Sequence, residues 1–121
     1  MLPGQRVPGE SPPLAVTTNR RKDGVLILTA VGEIDAATVG RFRTELSGAC
    51  VKGKHVILDL SRVGFLSCAG LQVLEEANAA SPRFSVIVKT ALVSRILDVS
   101  GVGADLDVRW DVEDVRIQDT I

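Results

Sequence analysis

The sequence predicts an α/β fold, a mixed and mainly parallel sheet of about five strands with helices packed on it, in the order β-β-α-β-α-β-α-β. Short runs of Val, Leu and Ile alternate along the chain with longer segments whose apolar residues recur at helical spacing. The dipeptide Asp23-Gly24 predicts a hairpin, which makes the sheet mixed. Aromatic residues are only 3% of the chain, so the core must be built from the branched aliphatic residues typical of a sheet covered by helices.

The first half of the chain predicts a hairpin and a helix. Strands are expected over residues 14–19 and 25–31, and the second is nearly all apolar, as in a strand buried on both faces. Residues 32–35 are predicted to form a loop whose last residue, Asp35, caps a helix over residues 36–48 by accepting hydrogen bonds from its first turn. The buried stripe of this helix is expected to contain Val39, Phe42 and Leu46.

The middle of the chain predicts a strand over residues 55–60 and a second helix over residues 68–80, with Leu71, Leu74 and Ala77 facing the core. Between them, residues 61–67 are expected to be a loop in which Phe65 and Leu66 point inward.

The last third predicts strands over residues 84–88 and 106–110 around a helix over residues 91–99 that ends at Ser100-Gly101. The core face of this helix is expected to carry Leu92, Ile96 and Val99, and Trp110 is expected to pack on the last strand or to cover the sheet edge. One or two helical turns are expected after residue 112.

Composition limits the domain organisation and the compartment. Residues 1–13 hold four prolines and are predicted to be a disordered tail, and residues 14–121 a single domain. No apolar stretch is long enough to cross a bilayer and the tail lacks the apolar core of a signal peptide, so we expect a cytoplasmic protein that does not bind membranes.

Charge and residue counts exclude several function classes. The net charge of −1 argues against direct nucleic-acid binding, which needs a basic face. Two cysteines and one histidine are too few for a disulfide framework or a metal site, and we expect no cofactor. His55, inside an apolar run, is interpreted as structural. Because Cys68 has no evident base, an enzyme is not expected.

Two segments are candidate functional sites because both follow strands and lead into helix N-termini, the sheet edge where ligands and partners of α/β proteins bind. One segment is residues 32–35. The other ends in Ser67, Cys68, Ala69 and Gly70, four small residues that let another surface approach closely and that lie beside free N–H groups. From the residues alone, a plain helix cap is the favoured interpretation, with Ser67 capping and Gly70 permitting close packing.

Three pieces of sequence together resemble a known family. They are Gly-Glu-Ile-Asp at residues 32–35, "VILDLSRVGFLSCAGLQVL" at residues 56–74, and "VSRILDVSGV" at residues 93–102. Over roughly residues 14 to 118, the chain resembles the bacterial STAS-domain anti-sigma factor antagonists. The resemblance implies a partner switch in transcription: such a protein binds an anti-sigma factor of the serine-kinase type and frees a sigma factor, until the kinase phosphorylates a serine at the start of the second helix.

The resemblance implies a partner-binding surface formed by Glu33, Asp35, Ser67, Cys68, Ala69 and Gly70, on a chain that is a monomer or a weak dimer. The family pattern Asp-Ser-Ser/Ala-Gly reads Ser67-Cys68-Ala69-Gly70 here, so cysteine replaces the phosphate-accepting serine. Three interpretations stay open: a chain always able to bind, a phosphorylation site shifted to Ser67, or redox sensing by Cys68, since a helix N-terminus favours the reactive thiolate. A further alternative is a sensor or adaptor of the same fold, responsive to redox state or to a small ligand.

Overall fold

The computed structural model describes residues 14–53, 55–81 and 83–115. Within them, five strands form one sheet in the order β1-β2-β3-β4-β5, with β1 antiparallel to β2 and all other neighbours parallel. The strands are β1 Ala15–Arg20, β2 Leu26–Ile34, β3 His55–Leu66, β4 Arg83–Ile87 and β5 Asp107–Arg109, and the helices are α1 Val39–Lys52, α2 Cys68–Ala80 and α3 Ala91–Ser100. Short 3₁₀ turns follow at Val102–Asp105 and Val112–Asp114. The predicted fold class is confirmed.

Some predicted segments lie outside the described residues. They are the N-terminal tail, residues 1–13, and the C-terminal part of the segment predicted to hold one or two helical turns, residues 116–121.

The three helices pack on one face of the sheet. Because successive parallel strands are neighbours in the sheet, each helical crossover returns over the same face. The main core therefore lies between this face and the helices, and its fully buried side chains include Leu28, Val56, Leu58, Phe42, Leu46 and Leu74. A smaller buried cluster, Val25, Ile57, Ile87 and Val115, lies apart from it, with Val112 packed alongside.

Strands β2 and β3 extend further than predicted, so that most of residues 32–35 and 61–67 is strand rather than loop. The added pairs are Gly32 with Val63, Glu33 with Phe65 and Ile34 with Leu66. Adjacent residues of an extended strand face opposite ways. Leu66 is therefore buried, as predicted, whereas Phe65 is 42% exposed and its predicted inward orientation was wrong.

Helix α1 begins later and ends later than predicted. Residues 36–38 form a turn in which Asp35 accepts backbone hydrogen bonds, and the helix continues past Gly48 to Lys52. Gly48 does not end the helix, because helical conformation is available to glycine and its position is exposed to solvent. Phe42 and Leu46 are fully buried, as predicted.

The predicted core face of helix α3 was wrong at Leu92 and Val99. Helix α3 buries Val93 and Leu97, while Leu92 is 48% and Val99 78% exposed. Apolar residues on α3 span more than one stripe at helical spacing, so the periodicity did not settle which stripe faces the core. Trp110 follows β5 and is 62% exposed, because β5 is the last strand of the described sheet.

A buried polar network joins three neighbouring strands at the start of β3. His55 is 5% exposed, and its Nε2 lies 3.3 Å from Oγ of Ser85 on β4. The Ser85 hydroxyl donates to Oδ2 of Asp107 on β5 at 2.7 Å. Burial lowers the pKa of His55, and the positive charges of Arg83 and Arg21 lower it further, against the opposing effect of Asp107 and Asp23.

This lowered pKa predicts a pH dependence of stability. Above the usual histidine pKa of about 6.5, His55 is neutral in both states and its network contributes fully. Below about pH 6.5 the unfolded chain takes up a proton first, so the free energy of unfolding should decrease until the pH reaches the lower pKa of the folded state. Urea denaturation from about pH 8 to pH 5 measures this.

The matched variant is His55→Gln, which keeps a polar side chain but does not titrate. The difference in unfolding free energy between wild type and variant should shrink as the pH falls through this window. Parallel curves for the two proteins would contradict the assignment.

Candidate functional site

The end of β2 and the start of α2 are joined directly. The Ser67 N–H donates to the Ile34 carbonyl at 2.9 Å, where the β2–β3 pairing ends. This bond brings together the two segments that the sequence singled out, residues 32–35 and 67–70.

The turn after β2 is held by its own polar groups. Asp35 Oδ1 accepts the N–H groups of Ala37 at 3.0 Å and Thr38 at 3.1 Å, so Asp35 holds the turn that leads into α1. The N-cap of the helix itself is Thr38 and not Asp35 as predicted. The Thr38 hydroxyl accepts the Asp35 N–H at 2.9 Å and donates to the Glu33 carbonyl at 2.8 Å. Thr38, which the sequence analysis missed, thus fixes the backbone that carries Glu33 and Asp35.

The start of α2 matches the predicted helix N-terminus. Ser67 is its N-cap, and its Oγ accepts the Gly70 N–H at 3.2 Å. Cys68 is exposed with a free thiol, and Ser67 and Ala69 are half-buried. The surface of this turn is therefore formed by three small side chains next to the N–H groups of the first helical turn.

Gly70 lies beneath that surface. A Cβ atom at this position would meet Leu66 Cδ1 at 2.6 Å and Ile34 Cγ2 at 2.8 Å, both on buried residues. The structure gives Gly70 a packing role, because the absence of a side chain lets α2 approach the ends of β2 and β3.

Glu33 and Phe65 lie side by side on the paired strands, next to this turn. The Glu33 side chain lies against Gly64, where a Cβ atom would be 3.1 Å from Oε2. Oε2 is shielded from water and finds no hydrogen-bond partner within the described part of the chain. An exposed phenylalanine next to a carboxylate oxygen without a donor is a combination that the sequence analysis missed, because it placed Phe65 in the core.

We call the surface formed by Glu33, Asp35, Phe65, Ser67, Cys68 and Ala69 the β2–α2 surface. Five of these residues were predicted from the sequence. Cys50, the second cysteine, does not belong to this surface. It is buried in α1, and burial raises the pKa of its thiol.

Comparison with known proteins identifies the family to which the chain belongs. The sequence model of the STAS domain matches residues 17–88, which is more than half of the chain. The chain belongs to the STAS domain family. No curated protein matches the sequence significantly.

Solved structures share this STAS fold. An anti-sigma factor antagonist from Mycobacterium paratuberculosis is 21% identical, with a TM-score of 0.79 over 84% of this chain and 89% of that one. SpoIIAA, a Bacillus cell fate determinant, is 16% identical in its phosphorylated form, with a TM-score of 0.62 over 83% and 95% of the two chains. Unphosphorylated SpoIIAA is 20% identical, with a TM-score of 0.64 over 83% and 91%. At these identities the likeness establishes the fold.

Within the described residues of this STAS domain, none of the helices combines the length and the apolar character needed to cross a membrane.

The packing of Gly70 predicts that Gly70→Ala destabilises the domain by about 1–2 kcal/mol, since overpacking costs roughly 1–3 kcal/mol and the better helix propensity of alanine returns part of it. Gly48→Ala is the matched control. A Cβ atom there meets nothing within 4 Å, so this variant should be stabilised by up to about 1 kcal/mol. Chemical denaturation measures both, and equal effects would contradict the packing role.

Proposed function

We propose that this chain is a bacterial anti-sigma factor antagonist, acting in the cytoplasm, that binds an anti-sigma factor of the serine-kinase type through its β2–α2 surface and so frees a sigma factor. The observation that carries the proposal is the exposed, small-residue turn at the start of α2, on a STAS domain whose structural neighbours include proteins named as antagonists. We further propose that the chain works by binding and not by catalysis.

The chemistry of the surface supports docking of another protein. Phe65 offers an apolar contact of the kind that dominates binding energy at interfaces. Glu33 Oε2 has no donor in the described chain, so a partner could supply the missing hydrogen bond once the shielded side chain shifts to meet it. A partner with an apolar pocket beside a basic or N–H donor group would match both features.

The separation of the reactive side chains supports binding over catalysis. Cys68 follows the end of β3, and His55 begins it, so the two lie at opposite ends of a strand of 12 residues. At the usual rise per residue that strand is roughly 35 Å long, and His55 is therefore too far away to act as a base for the Cys68 thiol.

The replacement of serine by Cys68 bears on how binding is controlled. The Cys68 side chain is exposed at the position where the family accepts phosphate, but a thiol is not the hydroxyl that a serine kinase phosphorylates. Ser67 is half-buried and its Oγ already serves as the helix cap. These contacts favour a chain that binds constitutively over one whose phosphorylation site has moved to Ser67.

The binding proposal predicts that Phe65→Ala weakens the complex with a cognate serine-kinase-type anti-sigma factor by roughly thirtyfold, the loss of about 2 kcal/mol expected of an aromatic hot spot. Isothermal titration calorimetry against purified anti-sigma factors measures the affinity. Val51→Ala is the control, because Val51 is 87% exposed near the end of α1 and away from the β2–α2 surface.

Val51→Ala should bind like wild type. If wild type binds none of the anti-sigma factors from its own organism, or if the two variants lose affinity equally, the proposed function is wrong.

The control of binding is tested by incubation with the cognate kinase and ATP, followed by intact-mass measurement. We expect wild type to gain no phosphate and Cys68→Ser to gain one, since that change restores the hydroxyl at an exposed position. Phosphorylated Cys68→Ser should then bind the anti-sigma factor more weakly than its unmodified form, because the added charge repels the partner.

A phosphate on wild type that is absent from Ser67→Ala would instead locate the modification at Ser67, and constitutive binding would be refuted.

A further inference from the structure

A cavity lies at the opposite end of the parallel strands from the β2–α2 surface. Its volume is about 400 Å³, and it is lined by Arg20 at the end of β1, Asp23 in the hairpin turn, Lys52 at the end of α1, His55 and Arg83. His55 and Arg83 are the first residues of β3 and β4, so this is the amino-terminal edge of the parallel strands.

The lining of this cavity is positively charged. Three basic side chains, Arg20, Lys52 and Arg83, face one acidic side chain, Asp23. The negative charge of Asp23 is already paired, because the Arg21 guanidinium Nε lies 2.9 Å from Oδ1. That hydrogen bond lowers the pKa of Asp23 to about 2. An anion that enters therefore meets the positive charges of Arg20 and Lys52 in a space the size of a small-molecule site.

His55 adds a more specific feature. The Ser85 hydroxyl donates a hydrogen bond to Asp107 Oδ2 at 2.7 Å, so Ser85 Oγ is left to accept a hydrogen bond from the N–H at His55 Nε2. The network thereby assigns the neutral tautomer with its proton on Nε2 and an unprotonated acceptor at Nδ1. Nδ1 is buried and has no hydrogen-bond partner among residues 14–53, 55–81 and 83–115.

His55 lines this basic cavity, and its Nδ1 is an acceptor without a donor among the described residues, which suits a ligand that is an anion and also carries a hydrogen-bond donor. We infer that this cavity binds inorganic phosphate, whose charged oxygens face Arg20, Lys52 and Arg83 while its own O–H donates to His55 Nδ1. Because Nδ1 is shielded from water, a neighbouring side chain must shift to let the ligand reach it.

Binding of sulfate distinguishes a cavity in which phosphate donates to His55 Nδ1 from a surface that is only basic. Sulfate has the size and tetrahedral shape of phosphate but carries no proton near neutral pH, so its oxygens would face the Nδ1 lone pair without a hydrogen bond. Burial lowers the pKa of His55, Arg83 and Arg21 lower it further, and Asp107 and Asp23 oppose them; His55 is therefore neutral at about pH 7.5. Discrimination against sulfate should therefore be present at this pH.

The full chain is titrated with inorganic phosphate, sulfate and methyl phosphate at about pH 7.5. Binding is measured by NMR chemical shifts and by calorimetry. We expect inorganic phosphate to shift the signals of His55 and its neighbours and to bind at least about tenfold more tightly than sulfate. Methyl phosphate, whose dianion has no P–OH group, should resemble sulfate. Equal affinity for phosphate and sulfate would overturn the inference, and tighter binding of methyl phosphate would assign the cavity to phosphate esters instead.

Two variants and one control variant test the contacts between phosphate and the cavity. Lys52→Gln should weaken phosphate binding about tenfold, whereas Arg95→Gln, which makes the same change in net charge on exposed α3, should not. His55→Gln should remove the preference for phosphate over sulfate. Since His55 is buried, the folding of that variant is checked by its NMR spectrum, and Lys52→Gln tests the inference without altering the core. Unchanged phosphate binding in Lys52→Gln would refute the site.

Discussion

The close approach of α2 to the sheet at Gly70 is the contact on which the proposed site depends. With no side chain at this position, the helix can begin directly against Leu66 and Ile34, at the ends of β3 and β2. The Ser67 N–H can then reach the Ile34 carbonyl and its Oγ can cap the helix. A larger residue would push α2 outward and separate the turn that carries Cys68 from Glu33 and Phe65. The shape of the β2–α2 surface is thus set by a residue that lies beneath it.

The sequence predicted the topology well because hydrophobic periodicity and turn residues act locally. Asp23-Gly24 marked the hairpin, and Ser67 marked the start of α2, where the predicted and observed helices have the same bounds. The extension of β2 and β3 could not be predicted, because it depends on pairing between residues about 30 apart in sequence, across two register shifts. Most of the candidate site was predicted, but the exposure of Phe65 follows from that same pairing. The core face of α3 was missed because two apolar stripes competed.

The carboxyl and amino ends of the parallel strands differ in chemistry because of the crossover topology. At the carboxyl edge, β2 and β3 lead into α1 and α2, so small residues and helix N-termini gather there. At the amino edge, the end of α1 and the hairpin turn bring Lys52 and Arg20 beside His55 and Arg83. The length of β3 keeps these sites apart, so occupancy of the basic cavity need not obstruct docking at the β2–α2 surface. Strands β2 and β3 and helix α1 each run between the two sites, so any influence of one on the other would pass through these elements.

On the proposed function, cysteine at position 68 would change the control of binding at the β2–α2 surface more than the shape of that surface. A thiol and a hydroxyl are both small groups on a single methylene, so a partner that packs against serine can pack against Cys68. The thiol is a weak hydrogen-bond donor and acceptor, and the partner therefore loses little contact area but some polar specificity. Burial of an added phosphate against a partner would be costly, and a side chain that does not accept phosphate from a serine kinase removes that cost permanently. On the proposed function, binding by this chain would be governed by how much of the protein is present and not by phosphorylation at position 68.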